Sequence, residues 1–538
     1  MKNALLRITL LCLALGNIGA RAEDRTAEAV RYLEGALRRD YARQEARVKW
    51  SNRGEGEELP ALPAAADDAT FLRRACVDLA GRLPRAEEVR AFLADVGADK
   101  RGRLTDALLK EPAAAEVRFR MLAEAFRVTD KAGGQSQAPF IAWLRKAVAD
   151  DLPFNELVKA MITAEKGTPA AGLIARDEGD AIRTAVSLAE SLVGQNYYCA
   201  MCHDHPFNET TQRACYEFAA CFAPMKLPAS YKYRDRQPGE ALDPVPVQGP
   251  GEIRWGSLIE PVNSRQAREQ LAETLAGRGA KRMRTVAALR VWRSLFGMPG
   301  LGFMGGRSLE STGQRPAWRE MMPKGFENSG TSCFTVPDMP TWVDDDFGRN
   351  SYVESVEVLS DVFEGCGLRL GELQRILART EAYGREPYEP GDPGSTIYLT
   401  LAPLVRRLPS EVIWDAVVTR LPAGQHAWLP SAQSPQVPPE DHPLRLLGRA
   451  RREWPDESHA PVTFELTRFM MNSPLVGEAA SAGPVPPDID TLVLSILGRP
   501  PTPQERAAAQ RHATESPATA ASDLAWALFN TSEFLFER

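Results

Sequence analysis

Past its first residues the chain has no long apolar run. No later stretch approaches the about 18 consecutive apolar residues that span a bilayer, which excludes stable membrane insertion. An excess of positive charge is also missing. Lysine and arginine number 65 against 71 aspartates and glutamates, a formal net charge of −6. Phosphate binding wants a basic face, so the balance argues against nucleic acid as a partner. The one dense basic cluster, 278–284, reads as the solvated start of a helix. Cysteine is sparse, at 8 in 538 residues, and one of the 8, Cys12, lies in the leader described below. The odd and dilute remainder rules out a disulfide-built scaffold. Period-two alternation is rare, which leaves little room for sheet. A glycine-rich phosphate loop, a G-x-S-x-G elbow and a zincin motif are all missing, and with them the enzyme classes they mark.

The first 22 residues have the features of a secretory signal. Lys2 and Arg7 make a positive n-region, 8–15 is a short apolar run, and Ala20-Arg21-Ala22 is a cleavage site of A-x-A type. Cys12 has no small residue before it, as a lipid anchor would require. The expected mature protein begins near Glu23, carries a charge of about −9 once the leader's basic residues are gone, and is periplasmic or secreted. Covalent haem attachment and thiol oxidation both belong to that compartment.

What is abundant is helical periodicity. Apolar residues recur at helical spacing over 27–47, 71–79, 85–94, 101–109, 113–128, 140–149, 155–164, 181–193, 266–296, 352–381, 489–497, 503–513 and 520–529. Proline, glycine and charge dominate 226–256, and 301–341 is irregular. The expected fold is mainly α: helical and multi-domain, with little β and long irregular loops. Its divisions are a signal peptide (1–22), an N-terminal helical arm (23–66), a helical domain (67–224), a linker (225–263) and a C-terminal helical domain (264–538). The last contains an irregular insertion at 301–341 and terminal helices at 486–538.

An internal echo joins the two ends of the chain. Asp78-Leu79-Ala80-Gly81-Arg82-Leu83-Pro84 opens a helix containing Glu88, and Ile496-Leu497-Gly498-Arg499-Pro500-Pro501 opens one containing Glu505. In the second copy Thr502 is the expected N-cap, Pro503 the N1 residue and Glu505 the third member of a capping box. A shared helical building block explains the echo better than a duplicated active site. Arg82 and Arg499 then tie helix ends rather than bind anions.

The strongest chemical signal is Cys199-Ala200-Met201-Cys202-His203, the C-x-x-C-H spacing that attaches c-type haem. Cys199 and Cys202 would form the two thioether links and His203 would be the proximal iron ligand. His205 sits too close in sequence to reach the opposite face of the same iron. It fits a supporting role, as does Asp204, whose oxygen can accept from the ligand imidazole. Met225 is the nearest downstream candidate for the sixth ligand, with His442 and His459 remote ones.

Other readings compete. Cys199, Cys202, Cys215 and Cys221 have zinc-like spacing, although Cys215 and Cys221 also read as small buried apolar residues on one helix. Cys199, Cys202, His203 and His205, together with Asp204, could share zinc or another divalent metal, and Cys199 with Cys202 could form a disulfide. The acidic run Asp344-Asp345-Asp346 reads as a solvated loop or helix cap before it reads as a calcium site. Cys76, Cys333 and Cys366 read as structural, and Trp143, Trp292, Trp414 and Trp526 as core.

These residues carry a resemblance. Phe71-Leu72-Arg73-Arg74, Asp78-Leu79-Ala80-Gly81, Glu87-Glu88-Val89 and the stretch 199–207 resemble a planctomycete-cytochrome-type domain of unknown function. Arg290-Val291-Trp292, Leu295-Phe296-Gly297, 343–347, Arg406-Arg407-Leu408 with Glu411 and Asp415, Met471-Asn472-Ser473-Pro474 and Leu497-Gly498-Arg499-Pro500 resemble the second domain, also of unknown function, that follows it in exported planctomycete proteins. Departures fall at Leu289 and Asn208, where those proteins carry Asn and Asp, and after the acidic run, where the usual Pro and His are missing. The resemblance implies export and a cytochrome-like label. Three functions fit: a c-type haem protein for electron transfer or redox sensing, a metal-dependent extracellular enzyme related to polysaccharide, or a helical scaffold with the cysteine motif as a clip. A periplasmic redox or assembly partner protein goes with the first.

Overall fold

The computed structural model describes residues 20–51, 62–194, 197–204, 211–229, 231, 239–242, 264–277, 280–297, 353–388, 402–421, 427–453, 455, 464–482 and 488–537. The fold is mainly α, as the periodicity requires.

The N-terminal part opens with α1 (Ala20–Ser51), α2 (Asp68–Ala80), α3 (Ala86–Ala94), α4 (Lys100–Leu109) and α5 (Pro112–Ala125). A small hairpin, β1 (Lys131–Ala132) and β2 (Gln135–Ser136), leads to α6 (Ala138–Ala149), α7 (Phe154–Ile162), α8 (Gly172–Ala175) and α9 (Ala181–Leu188). After the cysteine motif come α10 (Gln212–Ala219), the antiparallel pair β3 (Met225–Lys226) and β4 (Ala241–Leu242), α11 (Ser264–Ala276), α12 (Lys281–Phe296), α13 (Val353–Gly365) and α14 (Leu370–Ala378). The C-terminal part holds β5 (Arg406–Arg407), α15 (Ser410–Val418), α16 (Pro443–Leu446), α17 (Phe464–Asn472), α18 (Pro474–Ser481), α19 (Ile489–Ile496), α20 (Pro503–Glu515), α21 (Ala520–Phe529), α22 (Ser532–Leu535) and β6 (Phe536–Glu537). β5 pairs antiparallel with β6, so the C-terminus closes onto the middle of the chain.

Local chemistry sets many of these boundaries. Asp67 caps α2 by accepting from the Thr70 amide at 2.7 Å, and Gly81 ends it in the left-handed region at φ 62°. A Cβ at Gly81 would stand 2.8 Å from Val117 Cγ2. The long periodic stretches 266–296 and 352–381 are each two helices. The second is broken by Gly367 and Leu368, both at positive φ. Apolar spacing runs through such a break because both halves face the same core. α10, α15, α17 and α18 lie outside the stretches picked out by apolar period.

The apolar residues form two large clusters that do not follow chain order. The first draws Leu33 from α1, Phe71 from α2, Leu157 from α7, Leu271 from α11, Trp292 from α12, Phe363 from α13 and Leu373 from α14 into one core. The second gathers Trp414, Leu466, Val476, Leu492, Phe529 and Phe534, and takes Val77 from α2. Trp526, expected in the core, is 37% exposed.

Charged groups stitch the segments together. Asp78 accepts from the Tyr383 hydroxyl at 2.8 Å and pairs with Arg406, which also donates to Glu537 at 2.7 Å and to the Ser294 carbonyl at 2.8 Å. Burial raises the Asp78 carboxyl well above its ordinary range, with Arg406 opposing it.

The internal echo is structural. Arg82 grips both Glu88, at 2.7 Å, and Glu111, at 2.7 Å. Arg499 grips Glu505 at 2.8 Å, together with Glu533. Glu88 and Glu505 each accept the amide three residues earlier, from Arg85 and Thr502, at 2.7 Å. Gly498 repeats the left-handed φ of Gly81 at 77° and lies against Pro84 and Arg73 of the first copy. Both arginines therefore tie helix ends, as their sequence context implies.

Candidate functional site

The cysteine motif hangs between two helices. On one side Asp180 caps α9, its Oδ1 accepting from the Ile182 and Arg183 amides at 3.0 Å. α9 then widens into a π-turn over Ala189–Val193, which buries Glu190 and ends at Gly194 with φ 65°. Apolar spacing predicts one helix over 181–193. The wider turn is a tertiary outcome, since Arg282 and Arg290 of α12 reach its carbonyls. On the other side Thr211 caps α10, accepting from the Ala214 amide at 3.1 Å.

Between them Cys199–Met201 forms a short 3-10 turn. The Cys202 and His203 amides both donate to the Cys199 carbonyl at 3.1 Å. Cys199, Cys202 and His203 are therefore carried on one backbone turn. Cys202 and His203 are exposed and Cys199 half-buried, while Ala200 is buried as the inner face. Tyr197 is buried and meets the Phe218 ring of α10 edge-on, with centroids 6.4 Å apart. The Met201 carbonyl lies 3.4 Å from both Gln212 Nε2 and the Tyr216 hydroxyl, which donate to it from α10.

His203 Nδ1 lies 2.7 Å from the Asp204 carbonyl oxygen. A carbonyl can only accept, so Nδ1 carries the proton and the neutral ring keeps its lone pair on Nε2. The carboxylate of Asp204, expected to serve that imidazole, instead accepts the Gln212 amide at 2.8 Å and supports the start of α10. Asp204 thus orients His203 through its backbone, and its carboxylate is committed elsewhere.

The other candidates separate. Cys215 and Cys221 are buried, and burial pushes both thiols up to about 12. Cys215 lies in α10, whereas Cys221 lies past its end, so the two do not share one helix as expected. Neither Cys199 nor Cys202 is part of a disulfide. Among the described residues no three His, Cys, Asp or Glu side chains gather as a metal site, so the four-cysteine zinc reading finds no geometry there. Met225 sits in β3 opposite Leu242, partly buried against the first core. His442 caps α16 by accepting the Leu444 amide at 3.1 Å, and it packs on Trp414 and Trp428. His205, His459, Cys333 and Asp344-Asp345-Asp346 lie outside the described residues.

The donor set fits a c-type haem: two accessible thiols and an imidazole with Nε2 available on one turn. Gln212, Tyr216, Arg282 and Arg290 support the turn and were not singled out as site residues from sequence. Only Arg290 carried a signal, through its Arg-Val-Trp stretch.

Residues 55–226 match a family model described as PSCyt2, protein of unknown function (DUF1549). That stretch is similar to a planctomycete-cytochrome-like domain of unknown function, and it includes the whole cysteine motif and ends in β3. No curated protein and no solved structure matches the chain.

Proposed function

We propose that this is an exported protein carrying one c-type haem at Cys199, Cys202 and His203, used for electron transfer or redox sensing with a periplasmic partner protein. The observation that carries the proposal is the turn on which Cys199 and Cys202, neither in a disulfide, adjoin an imidazole whose Nδ1 is held by the Asp204 carbonyl. Bound haem would supply a reversible one-electron couple. The protein's own part is to hold and orient. Cys199 and Cys202 would link the vinyl groups. The Asp204 carbonyl fixes the tautomer and plane of His203 and makes Nε2 a better donor. Gln212 and Tyr216 keep the turn docked on α10.

The test is expression with the native leader in a host that matures c-type haem, followed by a haem-stained denaturing gel and metal analysis. A stained band that disappears in Cys199→Ala and Cys202→Ala is the expected result. An unstained band holding stoichiometric zinc or another divalent metal would overturn the haem reading in favour of a metal site. An unstained, metal-free band would leave a scaffold role.

A further inference from the structure

The π-turn ahead of the cysteine motif needs outside support. Its widened ladder leaves carbonyls without regular helical partners at its C-terminal end. Two of these are taken by one helix. Arg290 Nη1 donates to the Ser191 carbonyl at 2.9 Å, and Arg282 Nε donates to the Val193 carbonyl at 2.6 Å. Positions eight apart lie on the same stripe of α12, so both guanidinium groups face the turn together. Arg290 is buried and Arg282 half-buried. A third anchor comes from α5, whose Ala125 carbonyl lies 2.6 Å from the Ser191 hydroxyl.

α12 is itself fixed from far along the chain. Its Ser294 carbonyl accepts from Arg406 at 2.8 Å, and the Phe296 ring meets Tyr383 edge-on with centroids 5.9 Å apart. Only 194–198 separate the π-turn from Cys199, so the placement of Val193 constrains where the thiols and imidazole sit. Nothing in α12 need touch the thiols for this to hold.

We infer that Arg282 and Arg290 are positioning residues for Cys199, Cys202 and His203, and that α12 is a working part of the cysteine-motif site. The inference deepens the haem proposal, yet it concerns the turn's placement and can be read on the apo protein. The experiment compares Arg290→Gln, Arg290→Lys and Arg282→Gln with Arg284→Gln. Arg284 belongs to the same helix but pairs with Glu364, and serves as the control. Near-ultraviolet circular dichroism selects the folded variants. Iodoacetamide labelling, resolved by mass spectrometry, gives the rate and pH profile at Cys199 and Cys202.

Losing a charge-assisted hydrogen bond should open the turn and speed labelling of half-buried Cys199 on the order of 10-fold in Arg282→Gln and Arg290→Gln, with exposed Cys202 changing less. The control should label at the wild-type rate, and Arg290→Lys, which keeps a donor, should fall between. Should Arg290→Gln fail to fold, half-buried Arg282 still carries the comparison. Wild-type rates and profiles in every folded Arg282 and Arg290 variant would overturn the inference. In haem-loaded protein the same variants should move the midpoint potential more than Arg284→Gln does. An unstained wild-type band would defeat the haem proposal alone and leave the labelling result standing.

Discussion

The buried ion pair between Arg127 and Asp177 gives the sharpest test of how this fold is held. The two side chains are 3% and 1% exposed, and Arg127 Nη2 spans both carboxylate oxygens at 2.8 and 2.7 Å. Asp177 also accepts from Thr184 of α9 at 3.2 Å, and Arg127 donates to the Glu453 carbonyl at 3.2 Å. The pair therefore fastens the α9 approach to the cysteine motif and the 427–453 segment at one point. In Asp177→Ala the guanidinium stays buried without its counter-charge. Breaking a pair of this kind costs about 3–5 kcal/mol. Replacing both partners by apolar groups of similar size removes the desolvation penalty along with the attraction, so Arg127→Met combined with Asp177→Leu should recover most of that loss. Arg127 also sits at φ 52°, a strain the double variant keeps, so full recovery is not expected. Urea unfolding followed by tryptophan fluorescence measures all three proteins. A single variant within about 1 kcal/mol of wild type, or a double variant no better than the single, would refute the reasoning.

Three further outcomes follow from the same structure. Gly81→Ala should lower the unfolding free energy measured in urea, by about 1–2 kcal/mol from the left-handed backbone alone and by more from the contact with Val117, whereas Gly134→Ala, at φ 75° with nothing within 4 Å, should show only the backbone cost. Burial pushes the Cys76, Cys215 and Cys221 thiols up to about 12, so iodoacetamide near neutral pH should modify Cys199 and Cys202 well before any of them; equal labelling of Cys215 would contradict its burial. The Arg499 hydrogen bonds hold Glu505 at about 2, below its ordinary 4.5. Because the folded value is depressed, this stabilisation is present above pH 4.5 and fades as pH falls towards about 2. The difference in urea midpoint between wild type and Arg499→Met should therefore shrink between pH 6 and pH 3, and a constant difference would point to packing instead.

Much of the helical content was legible because long amphipathic stretches bury one face. The capping box of Thr502 and Glu505 was legible because capping chemistry is local. Helices such as α10 and α15 were not, although α3 and α19 of similar length were. The exposure of Trp526 was missed because helical spacing gives a face, and only packing says whether the face is covered.

By itself the sequence determined the helical class, the capping box of Thr502 and Glu505 and the residues of the cysteine motif. Each depends on neighbours within a few turns, or on covalent spacing that no fold can change. The tertiary structure decided what surrounds them. It merged residues from both halves into the first core, turned Asp204 so that its carbonyl serves His203 while its carboxylate serves α10, and buried Cys215 and Cys221. It also brought Arg282 and Arg290 to the π-turn. Those outcomes join groups far apart in the chain through desolvation and hydrogen-bond geometry, which no local pattern records.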